Sequence, residues 1–358
     1  MVNYKAIQTI SVKKGNNFGL FFLFFLFCFC QCKPDFSVNS DSEPFPVVYG
    51  LLNVSEEQHY VKIFKSFVVE GNAYDAVNDI DNYSYRDQIE VYINEYDAKN
   101  NLIRKIRMDT TTSIAKDSGL FAYPTQILYT AKATLNKNYL YEIEVFNPQT
   151  KNIAKAKAPV AVVGDVRISR PSAQDISITD NGMRFEFYSG ENTNMYQLLL
   201  KYYYTEDYFD GTSKQPKPVI WDLGNIVDLN GTAGTLKSLP VSTGAYFFKR
   251  IAEKVLEDEN VKARHTDSIV MEVHSAGKDW GLYIQSNLPS SGINQDRLHY
   301  TNIIAYNSET NEQKYATGVF STRGITTRKF NNLILANGSR DSLFYGRYTG
   351  HLKFTDIY

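Results

Sequence analysis

Short runs in which hydrophobic and polar residues alternate recur along the chain from Pro46 onward. A repeat of two residues is typical of β-strands that bury one face and expose the other. In the first part of the chain this pattern predicts strands over residues 47–54, 60–69, 88–96 and 102–108. The polar run 97–101 predicts a hairpin loop between the last two strands, because Asp and Asn favour turns.

The segment that begins at Leu135 carries the most specific signal. Leu135 precedes Tyr141 by six residues, and Ile143 and Val145 continue the face that Tyr141 begins. This spacing resembles the tyrosine corner of immunoglobulin-like sandwiches, in which a tyrosine hydroxyl ties a loop to the sheet. With a further strand predicted over 152–163, we expect an N-terminal immunoglobulin/fibronectin-like β-sandwich over residues 45–163.

Turn-forming residues at 164–165 and 170–172 indicate a junction, and we expect a second β-rich domain over 164–358. Its predicted strands are residues 183–188, 196–205, 269–274, 317–322 and 351–358.

Two helices are predicted in this second domain. The first starts after Ser242 or Thr243, either of which can cap it, because apolar residues from Phe247 to Leu256 form one stripe. The second is predicted near residues 278–287 from apolar side chains spaced three and four apart. The chain as a whole is therefore predicted to be mainly β, with one or two packed helices.

The N-terminal segment has a different pattern. Lysines precede an apolar run over residues 18–29, which is too short to span a membrane and suits a secretory signal peptide. The only cysteines of the chain, Cys28, Cys30 and Cys32, lie at the end of this run. We expect residues 1–31 to be a lipoprotein signal peptide, Cys32 to carry lipid, and residues 32–44 to be a flexible tether. An ordinary cleaved signal with incidental cysteines is the alternative.

Composition excludes several classes of protein. The 358 residues are 43% hydrophobic and 14% aromatic, which excludes a disordered or collagen-like chain. A formal net charge of −1 argues against a dedicated nucleic-acid-binding protein.

Several short motifs, taken in order, resemble a known family. They are the run VVYGLLN at 47–53, the strand at 61–65, GLF at 119–121, YTNI at 300–303 and GVFS at 318–321. Together they resemble Bacteroidota outer-membrane lipoproteins that carry domain of unknown function 4249, although the stretch 305–315 departs from the pattern. The resemblance implies lipid anchoring at the outer membrane, facing the periplasm or the surface, and a role beside a TonB-dependent transporter. It implies no activity and no functional residues.

Catalytic and metal-binding motifs give weak signals. The chain has no GxSxG, HExxH or phosphate-loop pattern, so we predict no catalytic residues, no metal and no cofactor. His265, Asp267 and His274 are the closest cluster of metal-ligand types, and we interpret them as strand and loop residues. An acidic loop does not match an EF-hand, so a solvated loop is expected there; its members are Asp75, Asn78, Asp79, Asp81, Asn82 and Asp87.

Tyrosines on one predicted strand give the candidate binding surface. Alternation places Tyr202 and Tyr204 on one face and Tyr203 on the other. We expect Tyr203 to lie outward and to form an aromatic patch with Tyr208 and Phe209, which can stack on a glycan or anchor a partner protein. Cross-strand packing is the alternative. A basic cluster has no expected ligand; its members are Arg323, Arg328 and Lys329.

We therefore expect a non-enzymatic, lipid-anchored envelope protein that binds a glycan or a partner such as a TonB-dependent transporter, and no nucleic acid. The alternative is an envelope hydrolase, for example one that acts on glycans, with its site in the second domain.

Overall fold

The computed structural model describes residues 43–67, 73–179, 183–287, 299–330 and 338–356. The predicted signal peptide, Cys32 and most of the predicted tether lie outside the described residues. Within the described residues the fold is mainly β, as the sequence predicts.

The described elements follow one another along the chain. The strands of the first part are β1 (Pro46–Leu52), β2 (Gln58–Lys65), β3 (Glu90–Tyr96), β4 (Leu102–Thr111), β5 (Leu128–Lys132), β6 (Leu140–Phe146), β7 (Asn152–Ala156) and β8 (Val160–Ala161). The later strands are β9 (Arg167–Arg170), β10 (Met183–Tyr188), β11 (Met195–Tyr208), β12 (Ser213–Lys214), β13 (Val219–Val227), β14 (Leu236–Val241), β15 (Val261–Ala276), β16 (Ile303–Asn307), β17 (Gln313–Lys314) and β18 (Thr317–Phe330). The helices are α1 (Ala73–Ala76), α2 (Ala245–Lys254), α3 (Lys278–Asn287) and α4 (Ser339–Phe344), with 3-10 turns at Ile80–Asn82 and Arg86–Gln88.

The first part of the chain forms the predicted sandwich. One face has the strand order β1-β2-β5 and the other has the order β4-β3-β6-β7, with antiparallel neighbours in both; the last residues of β4 also pair with β5, so the two faces are continuous at that edge. This is the A-B-E and C′-C-F-G arrangement of immunoglobulin-like domains. Val61 and Ile63 of one sheet share a buried core with Val91 and Ile93 of the other. The predicted fold class is confirmed.

Tyr141 forms the predicted tyrosine corner. Its side chain is fully buried, and its hydroxyl accepts a hydrogen bond from the Asn136 N–H at 2.7 Å. The same hydroxyl lies 2.9 Å from the Asn136 carbonyl oxygen and 3.0 Å from Glu95 Oε2. Glu95 in turn pairs with Arg104 at 2.9 Å. One buried hydroxyl therefore links the loop before β6 to the last residues of β3.

The sandwich is completed by residues from near the C-terminus. β16 pairs with β7, and the first six residues of β18 pair in parallel with β1. Ile303, Ala305 and Phe320 are buried in the sandwich core. The predicted boundaries 45–163 therefore leave out β16, β17 and half of β18, which cover the two outer edges of the sandwich.

A second core lies beyond this sandwich. The second half of β18 pairs with β15, which pairs with the long strand β11, and β13 covers part of the other side of β11. The small sheet β9-β10-β14 packs on this layer, with Phe187 of β10 at 4.9 Å from Tyr196 of β11 between ring centroids. Contacts join the described residues from Glu43 onward into one compact unit with two hydrophobic cores.

Both predicted helices are present. Phe247, Phe248 and Ile251 of α2 are buried, and the Thr243 hydroxyl accepts a hydrogen bond from the Ala245 N–H at 3.1 Å. The N-cap residue is Gly244, which has no side-chain capping hydrogen bond, so the predicted cap by Ser242 or Thr243 is wrong by one to two positions and Thr243 contacts only the first helical N–H. The bounds of α3 match the predicted range.

Residues 351–356 do not form the strand predicted over 351–358, and residues 357–358 lie outside the described residues. Leu352 and Phe354 are buried as alternation requires, but Lys353 between them has a left-handed backbone with φ 58°. Its ammonium group donates to the Asp258 carbonyl at 3.1 Å, in the loop before β15, and to the carbonyl of Val261, the first residue of β15, at 2.6 Å. The segment therefore makes a turn and a single bridge to Arg264 instead of a strand.

Candidate functional site

The three consecutive tyrosines of β11 lie as alternation predicts. Tyr202 and Tyr204 are buried, and their rings stack at 5.8 Å between centroids. Burial raises the pKa of Tyr204 to about 12. Tyr203 is partly exposed on the opposite face, beside Lys201 and Thr205.

Tyr208 does not join Tyr203 in a single aromatic patch. The two residues are five positions apart on one continuous strand, so their side chains leave opposite faces. The Tyr208 hydroxyl donates to Glu206 Oε2 at 3.0 Å, and this hydrogen bond is the main cause of the raised pKa of Tyr208. Phe209 is 70% exposed in the following loop. Tyr203 and Tyr208 therefore lie on opposite faces of the sheet, and Phe209 lies in the loop beyond it.

The candidate metal ligands are also separated. His265 and His274 lie nine residues apart on β15, about 30 Å along an extended strand. His274 contacts Glu272 at 2.7 Å, while Asp267 accepts a hydrogen bond from Thr205 at 2.9 Å. Within the described residues, no group of three or more His, Cys, Asp or Glu side chains is arranged to hold a metal ion.

Side chains of the acidic loop bind their own backbone and neighbours. Asp79 accepts a hydrogen bond from the Asp81 N–H at 3.0 Å, and Asp81 pairs with Arg86. Asn82 donates to the Ala76 carbonyl at 2.9 Å. These contacts fit the expected solvated loop.

The three residues of the basic cluster lie on β18 and do not share a partner. Arg328 donates to the carbonyl oxygens of Ser172 and Ala173, at 2.6 and 3.2 Å, and Lys329 is exposed. Arg323 pairs with Glu56 at 3.0 Å. This last pair lies at the point where β18 passes from the first core to the second.

An open cleft of approximately 710 Å³ surrounds that point. Its volume falls within the usual range of ligand-binding clefts, and the junction of two packed units is a common place for them. The cleft is lined by residues 53–55, 137–140, 161–165, 189–192, 233 and 323–325.

Backbone contacts fix the shape of the cleft. The Gly164 N–H donates to the Glu191 carbonyl at 2.7 Å, and the Asn192 side chain donates to the Val162 carbonyl at 2.9 Å. A Cβ atom on Gly190 would overlap the carbonyl group of Gly164. Because the two loops meet backbone to backbone, the cleft is formed before any ligand binds.

Charges of both signs face the cleft. Lys137, Asp165 and Glu191 are exposed, and among the described residues their side chains have neither an ion pair nor a hydrogen bond. Arg323, which also lines the cleft, pairs with Glu56. These free groups can bind a polar ligand without first breaking internal contacts.

Sequence reasoning did not find this cleft. Its lining comes from six segments spread between residues 53 and 325. The turn residues 164–165 were interpreted as a junction, and Arg323 was grouped with Arg328 only because they are close in sequence. Gly190 next to the charged residue Glu191 was the one local feature of the cleft visible in the sequence, but glycine is common in turns and so did not indicate a binding site.

Comparisons with known proteins give little information about this chain. No protein-family model matches it, and no curated protein matches it. Among solved structures, it is similar to the C-terminal globular domain of an oligosaccharyltransferase from Pyrococcus abyssi, with 9% identity and a TM-score of 0.23. The alignment covers 62% of this chain and 42% of that one. So distant a similarity supports no statement about fold or function.

In the described residues, no helix combines the length and the hydropathy that a membrane span requires.

Proposed function

We propose that this protein is a lipid-anchored, non-enzymatic binding protein of the outer membrane, and that the cleft holds its ligand. The signal-like N-terminus and the position of Cys32 support the anchor. The resemblance to outer-membrane lipoproteins supports the location and an accessory role beside a TonB-dependent transporter.

The preformed cleft is the observation that carries the binding role. Its size suits a ligand of several rings or residues, and its lining is rich in amide, hydroxyl and charged groups. Such groups form hydrogen bonds with hydroxyl-rich molecules. Tyr139 also lines the cleft and offers a ring on which a sugar can stack. A glycan is therefore the ligand class that we propose.

Capture from native envelope tests this proposal. The lipidated full chain is used as bait and compared with a Lys137→Ala/Asn138→Ala variant, which removes two exposed cleft side chains. The matched control is Lys157→Ala, an exposed lysine of the sandwich outside the cleft. We expect the wild type and the control to retain glycan and the cleft variant to lose at least tenfold, because one hydrogen bond to a charged group contributes about 1.5–3 kcal/mol.

Equal glycan capture by all three proteins contradicts the cleft as the site. A transporter that co-purifies equally with all three supports the accessory role and places that contact elsewhere on the molecule.

An envelope hydrolase is the second candidate, and one observation favours it. Asp165 and Glu191 face the same cleft on adjacent backbone segments, and a pair of carboxylates is what most glycoside hydrolases use. Asp165→Asn and Glu191→Gln would each abolish hydrolysis of a bound glycan, whereas Glu309→Gln, an exposed control, would not. A bound glycan that stays intact with the wild type excludes this candidate.

A further inference from the structure

A small pocket lies on the outer face of β2, on the opposite side of that sheet from the sandwich core. Phe64, Ile80, Tyr83 and Phe121 form its apolar walls, and its volume is approximately 110 Å³. A fully apolar cavity of somewhat larger volume takes one benzene ring. This pocket is smaller but open on one side, so one ring or a short acyl chain can enter it without being fully enclosed.

The segments that cover the pocket are held by hydrogen bonds. The Lys65 N–H donates to the Tyr83 carbonyl at 2.9 Å, and the Ala122 N–H donates to the Val77 carbonyl at 2.9 Å. Tyr83 and Phe121 meet edge to face at 5.3 Å between ring centroids. The pocket is thus part of the folded structure and not a gap between loose loops.

Two ammonium groups face this apolar space. Lys62 donates to Gln126 Oε1 at 3.3 Å, and Lys116 donates to the Phe121 carbonyl at 3.1 Å. Among the described residues, neither lysine has a carboxylate partner. Their hydrogen-bond acceptors are neutral, so two positive charges lie beside an apolar pocket without neutralisation.

Electrostatics agree with this geometry. Burial lowers the pKa of Lys62, and the positive charge of Lys116 lowers it further. An anion between the two groups would remove the repulsion and compensate for the lost hydration.

We propose that this pocket binds a small carboxylate that has an apolar body, either one ring or a short acyl chain. The apolar walls take the body, and Lys62 and Lys116 bind the carboxylate at the mouth. The walls disfavour a fully hydrophilic anion, because such an anion would leave the aromatic rings without a contact. This site is separate from the cleft and does not depend on the function proposed for it.

Isothermal titration of the purified full chain with phenylacetate tests the proposal. Phenylacetamide is the neutral probe of the same shape, and acetate is the charged probe without a ring. We expect phenylacetate to bind at least tenfold more tightly than either probe. Phenylacetamide lacks the charge, and a charge-assisted hydrogen bond contributes about one to two orders of magnitude in affinity. Acetate lacks the ring, and so it loses the apolar contact with the pocket walls.

Variants assign the effect to the two lysines. Lys62→Met and Lys116→Met each keep an apolar stem, and we expect each to reduce phenylacetate affinity at least tenfold while phenylacetamide affinity stays unchanged. Lys132→Met on neighbouring β5 is the matched control and should change neither, because Lys132 is exposed and, within the described part of the chain, its ion pair is with Glu57, away from the pocket. Thermal unfolding checks that each variant is folded, and if one is not, the other carries the test.

Two results would overturn the proposal. Equal affinity of the wild type for phenylacetate and phenylacetamide would show that the lysines do not recognise charge. Equal affinity for phenylacetate and acetate would show that the apolar walls do not contribute.

Discussion

Arg264 is buried where three segments of the second core meet. Its side chain is among the largest fully buried ones, with 1% of its surface exposed. Nε pairs with Glu206 at 2.8 Å, Nη1 donates to the Leu352 carbonyl at 2.7 Å, and Nη2 donates to the Leu256 carbonyl at 2.8 Å. One guanidinium group therefore joins β11, the residues after α2 and the C-terminal turn.

We expect Arg264→Met to lower the free energy of unfolding by about 4–6 kcal/mol. Removing one partner of a buried ion pair costs about 3–5 kcal/mol, because the other charge remains buried. Two carbonyl groups also lose their donor, at about 1 kcal/mol each, and the packing of the Met side chain offsets part of this. Arg250→Met is the control, since Arg250 pairs with Glu253 on the surface, where the expected loss is below about 1 kcal/mol.

Urea unfolding followed by tryptophan fluorescence measures these losses. Trp221 reports on this core, because its ring lies 5.9 Å from that of Phe247 between centroids. The double variant Arg264→Met/Glu206→Leu removes both charges and should recover part of the loss, because an apolar pair of similar volume often replaces a buried ion pair at little cost. A loss below about 1 kcal/mol for Arg264→Met, or no recovery in the double variant, would refute this account.

Three further predictions concern stability and use the same assay. Tyr141→Phe removes the hydroxyl of the tyrosine corner and should cost about 1–3 kcal/mol, and a neutral result would mean that water replaces its contacts. Gly318→Ala should lower the free energy of unfolding by more than about 3 kcal/mol, because Gly318 has φ 118° and a Cβ there would overlap the backbone of Val48. A variant as stable as the wild type would contradict the parallel register of β1 and β18. Burial is the largest single effect on the pKa of Glu272 and raises it, but the hydrogen bonds and positive charges of Lys201 and His274 together outweigh burial, so the native pKa lies below the ordinary value. The carboxylate therefore stabilises the fold above the ordinary pKa, and this contribution is lost as the pH falls through the native pKa. Glu272→Gln should therefore flatten the loss of stability in acid, and an unchanged pH profile would contradict it.

Local patterns predicted the parts of the fold that local contacts determine. The spacing of Leu135 and Tyr141 predicted the tyrosine corner, and alternation along β11 predicted which tyrosines are buried. The 97–101 loop also forms as predicted, since Asp97 accepts hydrogen bonds from the N–H groups of Lys99 and Asn101. Each of these features depends on residues within six positions of one another.

Features that depend on distant pairing gave no signal in the sequence. The sequence predicted a strand over residues 317–322, yet β18 continues to Phe330 beside β15. A strand that changes partners keeps its period of two, so the change leaves no mark in the pattern. The separation of Tyr203 and Tyr208 has a different, local cause: they are an odd number of positions apart on one strand, and β11 continues through Tyr208, where the sequence predicted a loop.

The two halves of β18 explain why the cleft lies where it does. The first half, through Thr322, belongs to the sandwich, and the second half, from Arg323, belongs to the second core. A strand shared by two cores leaves a gap between the loops on either side of it, and that gap is the cleft. Arg323 is the first residue after β18 changes its pairing partner from β1 to β15. A ligand bound at Arg323 would therefore contact both cores through one continuous strand. Binding of a ligand there would then stabilise both cores together, because a ligand stabilises the folded form to which it binds.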